Sequence, residues 1–322
     1  MSRVLITGAA GFLGSHLAES LRDAGHEVSG TVHRSGTRAL EGITTVPCDI
    51  TDARQVEDAV AAARPDVVFH FAAQSLPTAS WRDPRTTFSV NVQGTLNLLE
   101  AVRGSGLDPL VVVAGSSAEY GPAPAGGPSI REDAEVWPSS PYGASKAAAT
   151  LLARFYAQAY RMKVIVVRPF LAIGPGKTGD MCSDFARGIV AVERGTRAAL
   201  PVGNLEGVRD FLDVRDVVRA CWLIAGRGMP GQTYNICSGE GHAVREVLEL
   251  LLARASRSIP IVRDRALARP ADPGVLIGDG SRLRALGWRP AISIEESVAA
   301  VLDHWRERDA KAAGPVLLEM RP

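Results

Sequence analysis

The feature that most constrains this chain is a glycine-rich segment near its start. Directly after the apolar run Val4-Leu5-Ile6 comes the sequence Thr7-Gly8-Ala9-Ala10-Gly11-Phe12-Leu13-Gly14. Gly8 permits a tight turn, Gly11 lets the backbone approach a pyrophosphate, and Gly14 lets the next helix pack close to the strand. The first turn of that helix then faces the negative charge. Strand, glycine-rich turn and helix in this order predict a dinucleotide-binding site, although such a turn can also serve chain geometry alone.

The first half of the chain alternates short apolar runs with amphipathic stretches. The apolar runs are rich in Val and Ile and lack clean alternation, as expected for parallel strands covered on both faces. We predict strands at Val4–Ile6, Glu27–Val32, Val67–His70, Leu110–Val113 and Val164–Val167. We predict helices from Leu13 to a stop at Gly25, over Asp52–Arg64 and over Asn91–Arg103. This repetition predicts an α/β fold with a doubly wound parallel sheet of the Rossmann type.

The second half is less regular, and loops rich in Gly and Pro separate its elements. Helical patterns occur near residues 214–225, 243–254 and 294–308. We expect a smaller C-terminal substrate-binding lobe over the carboxyl ends of the strands, where open α/β sheets bind ligands. The nucleotide-binding domain is predicted to comprise residues 1–170, joined by about 211–238, and the lobe residues 171–210 and 239–322. Residues 309–322 are predicted to form a loose or partner-bound tail.

Composition limits the classes of partner. Lys plus Arg total 36 and Asp plus Glu total 35, so the chain lacks the basic excess typical of proteins that bind nucleic acid or a membrane surface. The four cysteines lack the spacing of a metal site or a disulfide framework, so we expect buried, reduced thiols. The chain shows no signal-peptide pattern and no apolar run long enough to span a bilayer, which predicts a cytoplasmic protein.

Cofactor choice is expected to depend on the end of the second strand. An enzyme that uses NAD usually places an acidic residue there to bind the ribose 2′-hydroxyl. This chain has no acid at that position, and Arg34 lies 20 residues after Gly14 (34 − 14). Arginine suits a 2′-phosphate, so NADP is predicted, with NAD as the alternative if Arg34 is only a solvated surface residue. Asp49 and Ile50, after the third strand, are placed to meet the adenine, although Asp49 can equally cap the next helix.

A tyrosine and a lysine mark the candidate catalytic centre. Tyr142 and Lys146 are four residues apart at the start of a predicted helix, so their side chains share a face. A nearby ammonium lowers the pKa of a tyrosine, so Tyr142 can exchange a proton with a sugar oxygen, and Lys146 can hold the nicotinamide ribose. Ser116 follows a predicted strand, where its hydroxyl can bond the same oxygen. Separately, these are consistent with a surface Tyr-Lys pair and a turn residue; together they predict an active site.

The motifs together resemble the extended short-chain dehydrogenase/reductase family. The resemblance rests on Thr7 to Gly14, on Phe71-Ala72-Ala73-Gln74, on Gly115-Ser116-Ser117 and on Tyr142 to Lys146. The segment from Val202 to Asp216 is similar to the branch that handles GDP-4-keto-6-deoxy-mannose, which contains GDP-mannose 4,6-dehydratases and 4-keto reductases. The resemblance covers nearly the whole chain except the tail. It implies an NAD(P)-dependent oxidoreductase that acts on a nucleotide-diphosphate sugar, with cofactor contacts from Phe71, Ala72, Ala73, Tyr142, Lys146 and Pro169.

Within this branch, one position favours a reductase. The dehydratases carry a Glu two residues before a Tyr-Gly pair, and this Glu supplies the acid that expels the C6 hydroxyl. Here Tyr120-Gly121 is preceded by Ala118 at that position, and Glu119 follows, where an extended chain would point it elsewhere. We therefore predict NADPH-dependent reduction of a C4 ketone, from GDP-4-keto-6-deoxy-mannose to GDP-rhamnose. The alternatives are a nucleotide-sugar 4-epimerase or 4,6-dehydratase and a non-catalytic NADP-binding sensor.

The substrate contacts are less directly predicted. Where the family usually has an Asn, often next to a His, this chain has Leu171 and Ala172, so the sugar-phosphate is expected to be held differently or the sugar to differ. Candidate contacts are Ser75, Ser80, Ser117, Asn204, Arg209 and Arg269. The two arginines suit the substrate pyrophosphate, although exposed salt bridges are an equal alternative for them. The resemblance also implies a homodimer formed through the helices at 91–103 and 141–160.

Overall fold

The computed structural model describes residues 1–33, 40–122, 129–267 and 274–313. Its strands are β1 (Arg3–Thr7), β2 (Glu27–Val32), β3 (Thr44–Pro47), β4 (Val67–His70), β5 (Leu110–Ala114), β6 (Val164–Pro169), β7 (Leu171–Ile173), β8 (Leu200–Val202), β9 (Val208–Arg209), β10 (Phe211–Asp213), β11 (Thr233–Ile236), β12 (His242–Ala243), β13 (Ile261–Arg263) and β14 (Val275–Leu276). Its helices are α1 (Phe12–Asp23), α2 (Ala53–Ala63), α3 (Pro77–Arg82), α4 (Pro84–Phe88), α5 (Gly94–Gly104), α6 (Pro141–Ala159), α7 (Met181–Glu193), α8 (Val214–Arg227), α9 (Val244–Leu252), α10 (Ser281–Ala285) and α11 (Ile294–Ala313). A π-helical turn at Ser89–Gln93 leads into α5, and 3-10 turns lie at Ser117–Glu119 and Arg265–Leu267.

A central sheet combines the six strands β1 to β6 with β11 from the second half of the chain. In the described part of the chain it has seven parallel strands in the order β11-β6-β5-β4-β1-β2-β3. After β3 the chain returns to the other side of β1, so the strand order reverses between β1 and β4. The loops after these two strands diverge there and leave a crevice at the carboxyl ends, where such sheets bind ligands. The predicted doubly wound parallel sheet is confirmed.

Both faces of this sheet are covered by helices. Successive residues of a strand point to opposite faces, and in β1 Ile6 packs toward α1 and α8 whereas Leu5 packs toward α2, α5 and α6. Both side chains are buried. Because neither face meets water, the strands carry continuous apolar runs in place of an alternating pattern. This is the pattern that identified them in the sequence.

A second apolar core lies in the C-terminal part of the chain. Helices α7, α9 and α11 surround it together with residues of β8 and β10. The predicted helices near 243–254 and 294–308 are confirmed as α9 and α11, whereas the sequence pattern missed α7. Short strand pairs complete this part: β10 with β7, β13 with β8, and β12 and β14 with β9. Strands of two or three residues are too short to show a periodic pattern, which is why the sequence did not reveal them.

The end of the chain differs from the prediction of a loose tail that begins at residue 309. Helix α11 continues to Ala313, and residues 314–322 lie outside the described residues. The four cysteines are buried with free thiols. In the described ranges, no helix combines the length and apolar character needed to cross a membrane. Over the same ranges, no group of three His, Cys, Asp or Glu side chains is placed to hold a metal ion.

Candidate active site

The glycine-rich segment forms the turn between β1 and α1. Gly8 has a φ of +69°, and a Cβ atom on it would lie 2.8 Å from the backbone of Ala72. A Cβ atom on Gly14 would lie 2.3 Å from the carbonyl oxygen of Gly8. Side chains do not tolerate contacts this short with backbone atoms, and the positive φ favours glycine independently. Glycine at these two positions therefore allows α1 to begin directly against the end of β1 and beside the loop after β4.

The first turn of α1 lacks a side-chain cap. Gly11 occupies the N-cap position and offers no capping side chain, and the first turn contains no acidic residue. The amide groups of Phe12, Leu13 and Gly14 have no intrahelical acceptor at this position, and the positive end of the helix dipole lies here. These unpaired donors and the close approach of the backbone fit the pyrophosphate of a dinucleotide.

The loop after β4 lies against this turn. The Phe71 amide donates a hydrogen bond to the Thr7 carbonyl oxygen (3.2 Å), and the Ala72 amide donates one to the Thr7 hydroxyl (3.2 Å). Ala73 follows, partly buried like its two neighbours. The structure thus brings three of the predicted cofactor contacts, Phe71, Ala72 and Ala73, beside the glycine-rich turn. A further predicted contact, Pro169, is buried at the end of β6.

The residues expected near the adenine and its ribose are only partly described. The Asp49 carboxylate accepts hydrogen bonds from the amide (2.9 Å) and the hydroxyl (2.7 Å) of Thr51, and these bonds hold the pKa of Asp49 below its usual range. Asp49 does not cap the next helix, because Asp52 occupies that position. Ile50 is buried in the core under the central sheet. Arg34, on which the predicted choice of NADP rests, lies outside the described residues.

The three candidate catalytic residues converge at the carboxyl end of β5. Ser116 is the N-cap of the 3-10 turn that follows β5, and Tyr142 and Lys146 lie one turn apart on α6. A hydrogen bond joins the Ser116 hydroxyl to the Tyr142 phenol. The Lys146 ammonium donates to the carbonyl oxygen of Ala114 (2.8 Å). The arrangement places a phenol, a hydroxyl and an ammonium at the edge of the sheet where a ligand enters.

Polar side chains fix the start of α6. Ser140 is its N-cap, and its hydroxyl accepts a hydrogen bond from the Gly143 amide (3.0 Å). The Ser80 hydroxyl accepts from the Tyr142 amide (3.1 Å) and donates to the Pro77 carbonyl oxygen (2.7 Å). Ser80, which the sequence predicts to touch the sugar, is fully buried and supports the backbone of the catalytic helix.

The electrostatics of the pair differ from the sequence prediction of a lowered tyrosine pKa. Burial raises the pKa of Tyr142 to about 12, and the hydrogen bond with Ser116 offsets only part of that effect. Burial also lowers the pKa of Lys146 to about 8, while the negative charge of Glu119 opposes that decrease. The cost of placing a phenolate away from water therefore outweighs the stabilisation by Lys146 that the sequence suggested. A phenol in this state retains its proton, which suits a proton donor.

The turn after β5 also differs from the extended chain assumed for Ala118 and Glu119. Both residues lie in the 3-10 turn, and Glu119 points inward, 0% exposed. Its carboxylate accepts hydrogen bonds from the Ser116 amide (2.8 Å), the Thr150 hydroxyl (2.9 Å) and the Arg168 guanidinium (2.8 Å). No local sequence pattern indicates this cluster, since 31 and 49 positions separate Glu119 from Thr150 and Arg168.

The remaining serine candidates occupy different environments. Ser75 is exposed in the loop between β4 and α3. Ser117 is buried in the 3-10 turn. Contact of these two hydroxyls with a sugar stays a prediction.

The candidates in the C-terminal part of the chain hydrogen-bond to backbone groups. The Asn204 side chain accepts a hydrogen bond from the Glu206 amide (3.0 Å). The Arg209 guanidinium donates to the carbonyl oxygens of Val208 (2.8 Å) and Gly274 (2.6 Å). Arg269 lies outside the described residues. Of the two arginines predicted to bind the pyrophosphate, the structure therefore describes Arg209 alone. Where the family usually places a substrate-binding Asn, Leu171 begins β7, which pairs with β10.

Comparison with known sequences agrees with this arrangement. Residues 5–301 match the protein-family model described as GDP-mannose 4,6 dehydratase. The GDP-6-deoxy-D-mannose reductase of Pseudomonas aeruginosa is 34% identical over 311 residues, which cover 95% of this chain and 98% of that protein.

Comparison with solved structures gives the same result. The structure of RMD from Pseudomonas aeruginosa complexed with NADPH has a TM-score of 0.83 at 33% identity and covers 96% of this chain and 100% of that chain. The UDP-glucose 4-epimerase of Thermus thermophilus in complex with NAD has a TM-score of 0.85 at 33% identity, covering 94% of this chain and 99% of that chain. The predicted resemblance and the predicted enzyme class are confirmed. This chain belongs to the GDP-mannose 4,6-dehydratase family of extended short-chain dehydrogenases/reductases.

Proposed function

We propose that this chain reduces the C4 ketone of a nucleotide-linked 4-keto-6-deoxy-hexose with NADPH, converting GDP-4-keto-6-deoxy-mannose to GDP-rhamnose. The observation that carries this proposal is the set of side chains present, and the one absent, at the sheet edge that follows β5. Ser116, Tyr142 and Lys146 converge there, whereas Ala118 stands where a dehydratase of this family needs its acid. The similarity to GDP-6-deoxy-D-mannose reductase over nearly the whole chain supports the same assignment.

The cradle between β1 and α1 is suited to hold the cofactor. The open amide groups at the start of α1 would bind the pyrophosphate, and Gly8 and Gly14 let the backbone approach it. Lys146 would orient the nicotinamide ribose. When bound, NADPH supplies the hydride that adds to the C4 carbon. Arg34 is the proposed partner of the 2′-phosphate.

The catalytic residues would complete the reduction at the carbonyl oxygen. Ser116 would donate a hydrogen bond that polarises the ketone, and Tyr142 would transfer its phenolic proton to the C4 oxygen. The resulting phenolate is stabilised by the Lys146 ammonium and is reprotonated from solvent. A positioned general acid of this kind typically contributes about 10²- to 10⁴-fold to a rate. The raised pKa of Tyr142 keeps the donor protonated before the transfer.

A dehydratase is disfavoured by the same geometry. Expulsion of the C6 hydroxyl needs an acid beside C6, and the methyl group of Ala118 cannot transfer a proton. The neighbouring carboxylate of Glu119 is buried, and three hydrogen-bond donors surround it. It is therefore not free to replace the missing acid.

An epimerase remains the alternative that an experiment must separate, because a UDP-glucose 4-epimerase has the same fold at a similar identity. An epimerase returns the hydride to the same sugar and so retains its cofactor, whereas a reductase consumes one NADPH per turnover. The assay is NADPH oxidation at 340 nm with GDP-4-keto-6-deoxy-mannose, run beside GDP-mannose and beside NADH. We expect oxidation with the keto sugar alone and slower turnover with NADH.

Two outcomes of this assay would contradict the proposal. Tightly bound cofactor in the purified protein, with no NADPH oxidation by any keto sugar, would indicate the epimerase. Conversion of GDP-mannose itself to its 4-keto product would indicate the dehydratase.

We further propose a homodimer formed through α5 and α6 and a cytoplasmic location. On α6, Leu151 and Phe155 are 69% and 52% exposed, so this helix presents large apolar side chains to solvent in the isolated chain. Burial of such side chains in a subunit contact is favourable. For the substrate, the proposed contacts are Ser75, Ser117, Asn204, Arg209 and Arg269.

A further inference from the structure

A buried carboxylate lies beside the catalytic residues without taking part in the proton transfer described above. Glu119 has three hydrogen-bond partners, and all three are donors: an amide, a hydroxyl and a guanidinium. Burial raises the pKa of Glu119, while the Arg168 charge and the three bonds oppose that effect. Because all three of these partners donate and the Arg168 guanidinium is permanently charged, the group is held as a carboxylate.

Two of these partners connect Glu119 directly to the catalytic residues. One is the backbone amide of Ser116, which belongs to the residue whose hydroxyl contacts Tyr142. The other is Thr150, which lies one helical turn after Lys146 on α6. One carboxylate oxygen thus ties the edge of β5 to the helix that carries both other catalytic side chains.

The third partner anchors Glu119 across the sheet. Arg168 on β6 binds the other carboxylate oxygen (2.8 Å) and also donates to the Tyr120 hydroxyl (2.9 Å). The Tyr120 hydroxyl in turn donates to the Asn235 side chain on β11 (2.7 Å). Arg168, Tyr120 and Asn235 are all buried. The position of Glu119 is therefore fixed by a polar network that spans β5, β6 and β11.

The groups around Lys146 determine how strongly the negative charge of Glu119 acts on the Lys146 ammonium. Glu119, in the turn after β5, and His70, on β4, interact electrostatically with Lys146, and Arg168 binds the far oxygen of Glu119. The near oxygen of Glu119 lies against Gly115, next to the Ala114 carbonyl oxygen that accepts from the Lys146 ammonium. Tyr142 precedes Lys146 by one turn of α6. Burial lowers the pKa of His70 to about 3, so that side chain carries no charge at neutral pH. Of these groups, Glu119 carries the negative charge that opposes desolvation of the Lys146 ammonium.

We propose that Glu119 is a positioning residue for the reaction: it fixes Ser116 through the backbone amide and supplies the buried negative charge that keeps Lys146 protonated. The kinetic part of this inference rests on the proposed reductase function, whereas the part that concerns Lys146 does not. The acid that the dehydratases use on C6 has no counterpart at Ala118 of this chain. A carboxylate one position later acts instead on the protein's own ammonium group.

The test is the substitution Glu119→Gln, which keeps an acceptor of similar shape and removes the charge. The chain contains four lysines, Lys146, Lys163, Lys177 and Lys311, so ε-¹³C labelling of lysine gives few NMR signals, and Lys146→Arg identifies the one of interest. We expect the Lys146 signal to titrate at least about half a pH unit lower in the variant, roughly a threefold change in its proton affinity. The Lys163 signal should not move.

The same variant has a kinetic signature. Glu119 raises the pKa of both Tyr142 and Lys146, and the reduction needs both groups protonated. Removal of its charge should therefore move the alkaline limb of the kcat/KM profile to lower pH by about the same half unit. The KM for NADPH should stay within about twofold of the wild-type value, since Glu119 does not touch the cradle.

A matched control separates this role from a purely structural one. Asp216 is also buried, pairs with Arg219, and accepts hydrogen bonds from the amides of Ala291 (2.8 Å) and Ile292 (3.0 Å). Asp216→Asn removes a similar buried charge away from the catalytic helix and should leave the Lys146 titration unchanged. An equal shift in both variants, or no shift in Glu119→Gln, would overturn the inference.

A second variant covers the case in which Glu119→Gln does not fold. Glu119→Asp keeps the charge but shortens the side chain, so it should preserve the Lys146 titration while it lowers kcat and speeds amide hydrogen exchange at Ser116. Unchanged kcat and exchange in that variant would contradict the positioning of Ser116. A wild-type protein without keto reductase activity but with the Lys146 shift would overturn only the proposed function, whereas an active wild type without the shift would overturn only this inference.

Discussion

The two ends of the proposed ligand crevice, the cradle between β1 and α1 and the edge after β5, are built from different kinds of groups. The cradle between β1 and α1 uses backbone amides and the absence of side chains, since added atoms at Gly8 or Gly14 would collide with backbone. The edge after β5 presents side chains. Burial there raises the pKa of Tyr142 and lowers the pKa of Lys146, and both changes favour the neutral form of the side chain. The cradle is therefore sensitive to volume, whereas the catalytic edge is sensitive to the identity of single polar atoms.

This difference teaches that binding and turnover can be damaged separately. A change that removes one oxygen atom at the catalytic edge leaves the shape of the cradle intact. A change that adds one carbon to the cradle leaves the catalytic side chains in place. Substitutions at the two ends should therefore produce opposite combinations of kcat and cofactor affinity.

The largest effect is expected from Tyr142→Phe. This substitution removes the phenolic proton donor, together with its hydrogen bond to Ser116, so kcat should fall by about 10²- to 10⁴-fold. The affinity for NADPH, measured by fluorescence titration, should change little because the cradle is untouched. The exposed Tyr160 at the end of the same helix is the matched control, and Tyr160→Phe should keep full activity. Turnover near the wild-type level in Tyr142→Phe would refute the mechanism.

The opposite combination is expected from Gly14→Ala. The new methyl group would lie 2.3 Å from the Gly8 carbonyl oxygen, so the start of α1 must move away from the strand. Overpacking of this kind costs roughly 1–3 kcal/mol, and a loss of that size in the binding energy corresponds to about 5- to 150-fold weaker binding of NADPH. With saturating cofactor, kcat should recover most of its wild-type value.

Gly226 offers the control for this change. It lies in α8, and a Cβ atom on it would meet nothing within 4 Å. Gly226→Ala should therefore leave NADPH affinity unchanged. If both alanine variants bind NADPH as the wild type does, the close approach at Gly14 is not important for the cofactor.

The cradle was also the part that the sequence predicted best. Its signal is contiguous, because eight residues in order define the turn and its flanking elements. The buried strands beside it were predicted for a similar reason: β2 was expected at Glu27–Val32 and begins and ends there. Local pattern was sufficient wherever the determining contacts lie within one strand-turn-helix unit.

The catalytic edge was predicted only in part. The spacing of Tyr142 and Lys146 identified the helix face, but not the direction of the tyrosine pKa, since burial depends on the whole fold. The inward orientation of Glu119 depends on Arg168, which lies on a different strand 49 positions away. Contacts at that sequence separation leave no periodic trace in a single chain.

A buried chain of neutral groups connects the two ends of the crevice. The Thr7 hydroxyl, at the end of β1, hydrogen-bonds Nδ1 of His70 (2.8 Å) and also accepts from the Ala72 amide. The Thr95 hydroxyl donates to the Asn91 carbonyl oxygen (2.6 Å), so it accepts from Nε2 of His70 (2.9 Å). The Asn91 side chain continues to Ser145, next to the catalytic lysine (2.8 Å). This pattern places a proton on Nε2 of His70. Because burial lowers its pKa to about 3, the imidazole is neutral, so Nδ1 accepts from the Thr7 hydroxyl.

The smallest of these effects is a pH dependence of stability through His70. Burial lowers the pKa of His70 from 6.5 to about 3. Between these two values the imidazole is protonated in the unfolded chain but stays neutral in the folded protein. The contribution of the neutral imidazole to the free energy of unfolding is fully present above about pH 6.5. It is lost as the pH falls toward 3, by about 1.4 kcal/mol per pH unit. Between about pH 6.5 and 5, urea unfolding of the wild type should lose about 2 kcal/mol more than His70→Gln. The exposed His33 provides the control, and His33→Gln should keep the wild-type slope. Parallel curves for wild type and His70→Gln would mean that the imidazole is not held neutral, and that the link between cradle and catalytic helix is not the one described.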